Sequence, residues 1–493
     1  MSNTVEAPEA PPQEGKFIRG IGPLQAISLV VGTMIGSGIF IVSSDIARQM
    51  DGWGPGGLML VWVITGIMTL AGALSYAELA AMMPRAGGQY VFLRDGLTPA
   101  AGFLYGWTLF TVVQTGTIAA VAVAFAKYLA VLVPSLTDTV MLQLGTLHLP
   151  GSAQAIAIGV SPQRILAILS VVVLTWINVR GVRLGAGIQS FLTIIKVGVL
   201  ALLVVLGIIV FRNADVIAAN FGNFWGTGNW TLAMAPAVGA AMVGSLFSSD
   251  SWNNVTFAAA EVRDPTRNLP RALALGTILV TLLYILANVS YLSVLPFHGD
   301  ATGTTTLARG IQYASQDRVG SAAVAAMFGS AGAAAMAIAI VISTLGCNAG
   351  LVLAGPRVFF AMAEDKLFFR KAGVLNDRYR TPAFSLWTQA VWASVLCLSG
   401  TYNQLLDYVI FAQLIFYALT ILALFRLRRV RADLARPVRA FGYPVVPGLY
   451  LVALLFLAVV LLVEKPLYTT AGLAIVALGV PVYLVWRRAN RRA

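Results

Sequence analysis

Twelve stretches of about 20 or more predominantly apolar residues run through this chain of 493 residues. A membrane-spanning helix needs about 20 such residues. The charged fraction, 11%, is well below the roughly 25% of soluble domains. The sequence therefore predicts an all-α polytopic membrane protein with 12 transmembrane helices. The predicted spans are 21–48, 55–83, 99–134, 161–180, 185–211, 232–260, 270–296, 321–363, 383–400, 404–428, 445–463 and 468–487.

The formal net charge of +13 reflects topology and does not indicate a nucleic-acid partner. With the first tail inside, 25 of the 33 Lys and Arg fall in inner segments and six in outer segments, while Lys127 and Lys196 lie within spans. Cytoplasmic loops of membrane proteins carry such an excess of Lys and Arg. We therefore expect an inner- or plasma-membrane protein with both termini in the cytoplasm and the lipid bilayer as its surroundings.

Two of the spans are interrupted by glycine and hydroxyl-bearing residues. The first break is at Gly36-Ser37-Gly38, and the second lies within residues 244–254. Backbone at membrane depth can leave its helical hydrogen bonds only where it is buried in protein or lines a watery cavity. Two broken segments at corresponding positions point to the binding site of a transporter. Bare N–H groups suit an anion and bare carbonyl groups a cation, and an amino acid zwitterion carries both charges.

The breaks divide the chain into two halves of five spans. Because five is odd, the halves have opposite orientations, the inverted-repeat plan of many secondary transporters. The outer segment near 135–160 predicts a small hairpin, and the outer segment 297–320 is either a lid or a plain connector. The predicted units are a disordered cytoplasmic tail at 1–20, repeats at 21–211 and 232–428, spans 11 and 12 at 445–487, and a basic tail at 488–493.

The residue content argues against catalysis. The two cysteines, Cys347 and Cys397, lie in apolar spans, and the two histidines, His148 and His298, lie in outer loops far from both breaks. Walker, GxGxxG and HExxH patterns are absent from the sequence. We therefore expect no enzyme activity, no cofactor and no metal site.

A series of motifs resembles a known transporter superfamily. The segment Gly32–Phe40 resembles the first helix of amino acid–polyamine–organocation transporters, and Trp252–Phe257 followed by Glu261–Pro270 is similar to the L-type amino acid transporter branch, in its standalone bacterial form. Further matches are Tyr76–Ala80, Pro84–Tyr90 and Gly355–Phe360. The resemblance covers about residues 21–486. It implies a LeuT-like 5+5 inverted repeat with broken helices 1 and 6 and sodium-independent exchange or uptake of amino acids.

The resemblance also implies roles for residues at the breaks. Backbone N–H groups of the first break would bind the substrate carboxylate, and carbonyl groups at both breaks would accept from its ammonium. The ring of Phe247 would close the site from outside, and Asn253 would influence selectivity. The alternatives are a tight helix crossing at the glycines, plain packing for Phe247 and an interhelical hydrogen bond for Asn253. The predicted substrate-binding residues are Met34, Gly36, Ser37, Gly38, Phe247, Ser248, Asp250 and Asn253.

Two ionisable residues lie deep in these spans. Asp250 stands where better-known members carry glycine, and it either faces the substrate ammonium, takes up a proton or caps the helix break. Lys196 matches a lysine whose ammonium, in sodium-independent relatives, replaces the Na⁺ of sodium-coupled ones. Ser343 and Thr344 of the eighth span would complete this replacement. A lysine that snorkels to the membrane surface is the alternative.

Charged residues around 261–271 form a cluster at the predicted cytoplasmic mouth. The cluster comprises Glu261, Arg263, Asp264, Arg267 and Arg271. Its members either form gate salt bridges with loop residues such as Arg85 or Asp95, or remain solvated surface charges.

Eukaryotic relatives bind a glycoprotein heavy chain through a cysteine between spans 3 and 4. No cysteine occurs between Ser135 and Gln163, so no covalent heavy-chain partner is expected.

The function that the sequence favours is sodium-independent transport of neutral L-amino acids by alternating access. The alternatives are a proton-coupled importer of polyamines or cationic amino acids and an amino acid sensor that does not transport.

Overall fold

The computed structural model describes residues 17–148, 155–399, 402–464 and 466–492. Most of the predicted tail 1–20, up to residue 16, lies outside the described residues, as does residue 493 of the predicted basic tail. Within the described residues, the regular structure is helical apart from one two-stranded sheet.

The first half of the chain contains one broken span and four further long helical segments. A 3₁₀ turn, Gly38–Phe40, lies inside the broken span, and Pro99–Leu132 is continuous through a π-helical segment, Leu109–Val113. In chain order the elements are α1 (Pro23–Met34), α2 (Val42–Gln49), α3 (Gly54–Met82), α4 (Gln89–Gly96), α5 (Pro99–Thr108), α6 (Gln114–Leu132), β1 (Leu142–His148), β2 (Ala155–Val160), α7 (Pro162–Val179), α8 (Val182–Val205) and α9 (Ala214–Gly222).

The second half also opens with a broken span. Its elements are α10 (Ala235–Ser248), α11 (Asn254–Phe257), α12 (Pro265–Val294), α13 (Thr306–Arg309), α14 (Val319–Ala354), α15 (Pro356–Glu364), α16 (Ala383–Cys397), α17 (Tyr402–Val430), α18 (Val445–Glu464) and α19 (Pro466–Arg492). Helix α14 has a kink at Gly329, whose φ is +68°.

Among the described residues, eight helical stretches are long and apolar enough to cross a membrane. Shorter apolar helices cover Pro23–Met34, Leu232–Ser248 and Ala383–Cys397, and the first two are short because the breaks interrupt their spans. The predicted span 321–363 exceeds one membrane crossing, and α15 begins at its end with Pro356, a residue that suits the first helical turn. The count of 12 spans stays a prediction.

The hairpin predicted in the segment 135–160 is confirmed, since β1 and β2 pair antiparallel. The segment 297–320 is tied to α2 by polar contacts. The Ser44 hydroxyl donates to the Ile311 carbonyl (2.7 Å), and Arg48 pairs with Asp317 (2.6 Å). These contacts fit a lid and a connector equally, so the choice between them stays open.

Both broken spans lie in the interior of the helical bundle. Helix α1 packs against α8, α12 and α14, and α10 packs against α2, α3 and α17. Ile35 and Ile39 of the first break are fully buried, and Asn253 of the second is 1% exposed. The breaks therefore satisfy the condition that unwound backbone at membrane depth must be surrounded by protein.

Candidate functional site

The first break begins where α1 ends, at Met34. The backbone of Ile35 is extended (φ −77°, ψ 94°), so the helical hydrogen bonding stops there. The backbone N–H groups of Gly36 and Gly38 make no hydrogen bond to another described residue. Both glycines are buried. The break thus holds two buried donors that a ligand can use.

The second break covers Ser249–Asn253, between α10 and α11. Ser251 has a φ of +67°, in the left-handed region that residues other than glycine rarely adopt. The carbonyl group of Ser251 accepts a hydrogen bond from the Thr33 hydroxyl of α1 (3.0 Å). The unusual backbone at Ser251 is therefore held by the other broken span.

The two breaks touch directly at Gly38 and Ser248. A Cβ atom at position 38 would lie 2.0 Å from the Ser248 Oγ and 2.7 Å from the Ser248 Cβ. Both distances are far below van der Waals contact, so no larger residue fits at position 38. The sequence placed the breaks in corresponding spans, and the structure brings them into contact.

A tyrosine of α12 binds carbonyl groups from both breaks. The Tyr284 hydroxyl lies 3.0 Å from the carbonyl oxygen of Met34 and 3.0 Å from that of Ser248. These are two of the carbonyl groups predicted to accept from a substrate ammonium. A carbonyl oxygen has two lone pairs, so each retains capacity for a second donor.

The ammonium group of Lys196 is held at the end of α1. Its Nζ lies 2.6 Å from the Gly32 carbonyl oxygen, 2.7 Å from that of Ile35 and 3.2 Å from that of Ser343. An ammonium has three N–H donors, and each has an acceptor here. The side chain is 1% exposed, so its tip lies within the protein and does not snorkel to the surface.

The two predicted residues of α14 behave differently from each other. The Ser343 hydroxyl donates to the first break, with the carbonyl oxygens of Gly36 at 3.0 Å and Ile35 at 3.3 Å. The Thr344 hydroxyl instead donates to the carbonyl groups of Ile340 and Val341 in its own helix. Thr344 therefore makes no side-chain hydrogen bond to Lys196 or to the first break.

The Asp250 side chain contacts α17. Its carboxylate accepts a 2.5 Å hydrogen bond from the Tyr417 hydroxyl. The ring of Tyr417 stacks on Trp252, with centroids 5.4 Å apart. A cavity of about 20 Å³, room for about one water molecule, adjoins the carboxylate. It is lined by Met68, Thr69, Leu246, Ser249, Asp250, Trp252, Ile410, Gln413, Leu414, Tyr417, Tyr450 and Leu454.

Asn253 and Phe247 are both buried beside the second break. The amide nitrogen of Asn253 donates to the Gln89 side chain (2.7 Å), which in turn donates to the Thr420 hydroxyl (3.1 Å). Asn253 thus makes the interhelical hydrogen bond that the sequence left as an alternative role. Phe247 lies in the last turn of α10 and is 8% exposed.

Sequence reasoning missed Tyr284 and Tyr417. A signal for Tyr284 exists, since Tyr284, Asn288 and Tyr291 follow each other at spacings of four and three and share one face of α12. That face contacts the first broken span. Asn288 accepts from Ser43 (2.7 Å), and the Tyr291 hydroxyl lies 3.3 Å from the Ile39 carbonyl oxygen.

Of the two alternatives for the cluster 261–271, salt bridges with Arg85 or Asp95 are not made. Glu261 pairs instead with Arg357 of α15, with both nitrogen–oxygen distances near 3 Å, and both side chains are 1% exposed. Arg85 pairs with Asp95 (2.9 Å). The sequence did not indicate this partner, because Arg357 lies 96 residues after Glu261.

The segment that precedes α1 is hydrogen-bonded to the region around Glu261. The Ile21 backbone N–H donates to the carbonyl oxygen of Glu261 (2.9 Å), and the Arg263 N–H donates to that of Ile21 (2.9 Å). Helix α1 begins two residues after Ile21. The start of α1 and the end of the second broken span are thus fastened at the same end of the bundle as the Glu261–Arg357 pair.

Two interrupted helices that meet inside an apolar bundle and hold buried backbone donors define a membrane transport protein. Residues 21–486 match the amino acid permease family, and the chain belongs to this family. The predictions of an amino acid transporter superfamily, of a polytopic helical membrane protein and of a transporter rather than an enzyme are confirmed.

Curated relatives cover most of the chain. The b(0,+)-type amino acid transporter 1 of Mus musculus is 27% identical over 450 residues, which are 90% of this chain and 83% of that protein. Its counterpart in Homo sapiens is also 27% identical, over 92% of this chain and 85% of that protein. The large neutral amino acids transporter small subunit 2 of Mus musculus is 29% identical over 94% of this chain and 80% of that protein.

Proposed function

We propose that the protein is a sodium-independent carrier of neutral L-amino acids that works by alternating access, as an exchanger or a facilitated or proton-linked carrier. One observation carries the proposal. The Lys196 ammonium occupies a cage of carbonyl oxygens at the first break, which is the kind of oxygen site that an alkali cation would need. A cation fixed to the protein fills the cage and leaves no role for dissolved Na⁺.

The backbone donors of the first break support amino acid binding. The unused N–H groups of Gly36 and Gly38 suit a carboxylate, and each such hydrogen bond contributes about 1.5–3 kcal/mol. In this proposal Ser37 contributes to the same site, and the carbonyl groups of Met34, Phe247, Ser248 and Asp250 bind the substrate ammonium. Phe247 serves as the gate.

The relatives support the choice of substrate class. One is named for large neutral amino acids and the other as a b(0,+)-type amino acid transporter. Both cover at least 90% of this chain, which supports a shared substrate class.

Counterflow into liposomes tests the proposal. Purified protein is reconstituted into liposomes loaded with unlabelled alanine, and uptake of labelled alanine, leucine, arginine and putrescine is measured in Na⁺ and in choline. We expect alanine and leucine to accumulate equally in both salts. A requirement for Na⁺, or accumulation of arginine and putrescine alone, would contradict the proposal. Binding of alanine without any counterflow would favour a sensor.

Asp250 favours one second candidate, a proton-coupled importer of cationic amino acids or polyamines. The cavity beside Asp250 is also lined by Gln413, whose side-chain oxygen is buried and has no hydrogen-bond partner among the described residues. A carboxylate and an amide oxygen together suit a cationic group. Inhibition of alanine counterflow by putrescine in the native protein but not in Asp250→Asn would support this candidate, especially if a pH step drives uptake.

We further propose two inverted repeats, at 21–211 and 232–428, in a cell-membrane protein with cytoplasmic termini and no covalently bound heavy chain. One relative is called a small subunit. The burial of both cysteines of this sequence, Cys347 and Cys397, supports the proposal that no intersubunit disulfide forms. Electrophoresis of native membranes with and without reductant tests the last point, since a covalent partner would shift the band.

A further inference from the structure

A groove of about 840 Å³ opens on the bundle surface near the start of α1. It is bounded by α1, α3, α12 and the segment between α17 and α18. Its apolar lining includes Ile27, Leu74 and Leu275. Leu275 is 53% exposed, and Phe441 at the groove edge is 69% exposed. Such exposure suits contact with lipid chains.

Three arginines line one end of this groove. Arg267 and Arg271 come from α12, and Arg439 comes from the segment before α18. All three are exposed, and none makes a salt bridge or side-chain hydrogen bond with another described residue. Among the described residues that line the groove, none is Asp or Glu. The lining of the groove therefore carries a local excess of positive charge.

The order of residues along α12 separates charge from apolar surface. Arg267, Arg271 and Leu275 are spaced by four residues, so they lie above one another on one helix face. The arginines are in the first two turns of α12 and the leucine is one turn deeper. A ligand in this groove meets positive charge at the helix end and apolar side chains farther along the span. This is the order of headgroup and acyl chain in a lipid.

We propose that this groove binds an anionic glycerophospholipid, with its phosphate at Arg267, Arg271 and Arg439 and its acyl chains against Ile27, Leu74 and Leu275. Basic pockets between membrane helices are suited to anionic headgroups. A positive charge in the first turns of a helix is unfavourable beside the helix dipole, and a bound anion would offset it. Because Ile27 belongs to α1, the lipid would contact the same helix whose other end forms the first break.

Lipid binding by the full-length protein tests the proposal directly. Detergent-purified protein is titrated with palmitoyl-oleoyl phosphatidylglycerol or phosphatidylcholine, and bound lipid is counted by native mass spectrometry. We expect preferential binding of phosphatidylglycerol. Each arginine near an anionic group contributes roughly fivefold, so R267Q/R271Q/R439Q should weaken phosphatidylglycerol binding on the order of 100-fold. R267K/R271K/R439K, which keeps the charge, should retain most of the binding.

Matched variants separate this site from general charge effects. R370Q/K371Q/R429Q removes the same charge from exposed side chains elsewhere and should bind like the native protein. Ala274→Trp fills the groove while keeping all arginines, and it should weaken binding of the intact lipid. Equal loss in the control triple, full binding by Ala274→Trp, or displacement of the lipid by equimolar inorganic phosphate would each overturn the proposal. Size-exclusion profiles verify that every variant is folded.

Discussion

The Lys196 ammonium lies 2.6 Å from the carbonyl oxygen of Gly32, in the helical turn that precedes the first break. This contact joins α8 to α1 at the point where the regular backbone hydrogen bonding of α1 ends. Since Lys196 also reaches Ser343 of α14, three helices converge on one side chain. We therefore expect the loss of the Lys196 ammonium to reduce transport strongly.

Replacing Lys196 with Ala should reduce alanine counterflow at least tenfold. The change leaves the buried Gly32 carbonyl without its donor, and an unsatisfied buried acceptor costs about 1–3 kcal/mol. Thermal unfolding of the purified variant should show a lower Tm. Lys127→Ala is the control, because Lys127 is the other lysine predicted within a span and lies in α6 away from the breaks. Native counterflow in Lys196→Ala would rule out the proposed role of the ammonium.

Replacing Gly38 with Ala should abolish counterflow, because the new methyl group would lie 2.0 Å from the Ser248 Oγ. Ser248→Gly creates space and should restore part of the activity in the double variant. Changes in the free energy of unfolding are not additive for residues in contact. The change for the double variant should therefore differ from the sum of the changes for the two single variants by more than about 0.5 kcal/mol. Gly187→Ala serves as the control, since a Cβ there meets nothing within 4 Å. Additive effects would show that the two breaks are not in contact.

Replacing Tyr284 with Phe should weaken alanine binding and lower the free energy of unfolding by about 1–3 kcal/mol. The single hydroxyl hydrogen is shared between carbonyl oxygens of both breaks, and its loss removes this buried hydrogen bond. Tyr291→Phe removes a single contact of 3.3 Å and should have the smaller effect. Isothermal titration with alanine and thermal unfolding measure the two quantities. A larger effect of Tyr291→Phe would contradict this assignment.

Replacing Arg357 with Ala should destabilise the protein by about 3–5 kcal/mol, because it leaves the buried Glu261 carboxylate without a counter-charge. Arg85→Ala disrupts the partly exposed pair with Asp95 and should cost only about 0–1 kcal/mol. Denaturation of the two variants in the same detergent compares the effects. Glu261→Gln combined with Arg357→Ala should recover part of the loss. If Arg357→Ala and Arg85→Ala lowered the free energy of unfolding by the same amount, the Glu261–Arg357 pair would be accessible to water.

The breaks themselves could be predicted from the sequence because their cause is local. Gly36 and Gly38 interrupt an apolar stretch, and Ser248 and Asp250 interrupt another. The partners of these residues could not be predicted from composition or spacing. Tyr417, for example, is 167 residues from Asp250, and only packing of α17 beside the second break brings them together.

The partner of Glu261 in the cluster 261–271 could not be predicted for the same reason. A cluster of charged residues in a sequence is typical of surface pairs between neighbouring residues. Glu261 is instead buried and forms a salt bridge with Arg357. Arg267 and Arg271 of the same cluster are exposed. Whether a charge is buried depends on which helix covers it, and sequence periodicity does not carry that information.

The attachment of Lys196 has a consequence for ionic strength. Its ammonium and all three oxygens that it contacts belong to buried residues, so dissolved counter-ions have no access to the contact. Concentrated salt weakens exposed pairs such as Arg48 with Asp317, which join the outer segment to α2. As the salt concentration rises, the exposed ion pairs at the surface of the bundle should therefore break first. The contacts of Lys196 that join α1, α8 and α14 should remain intact.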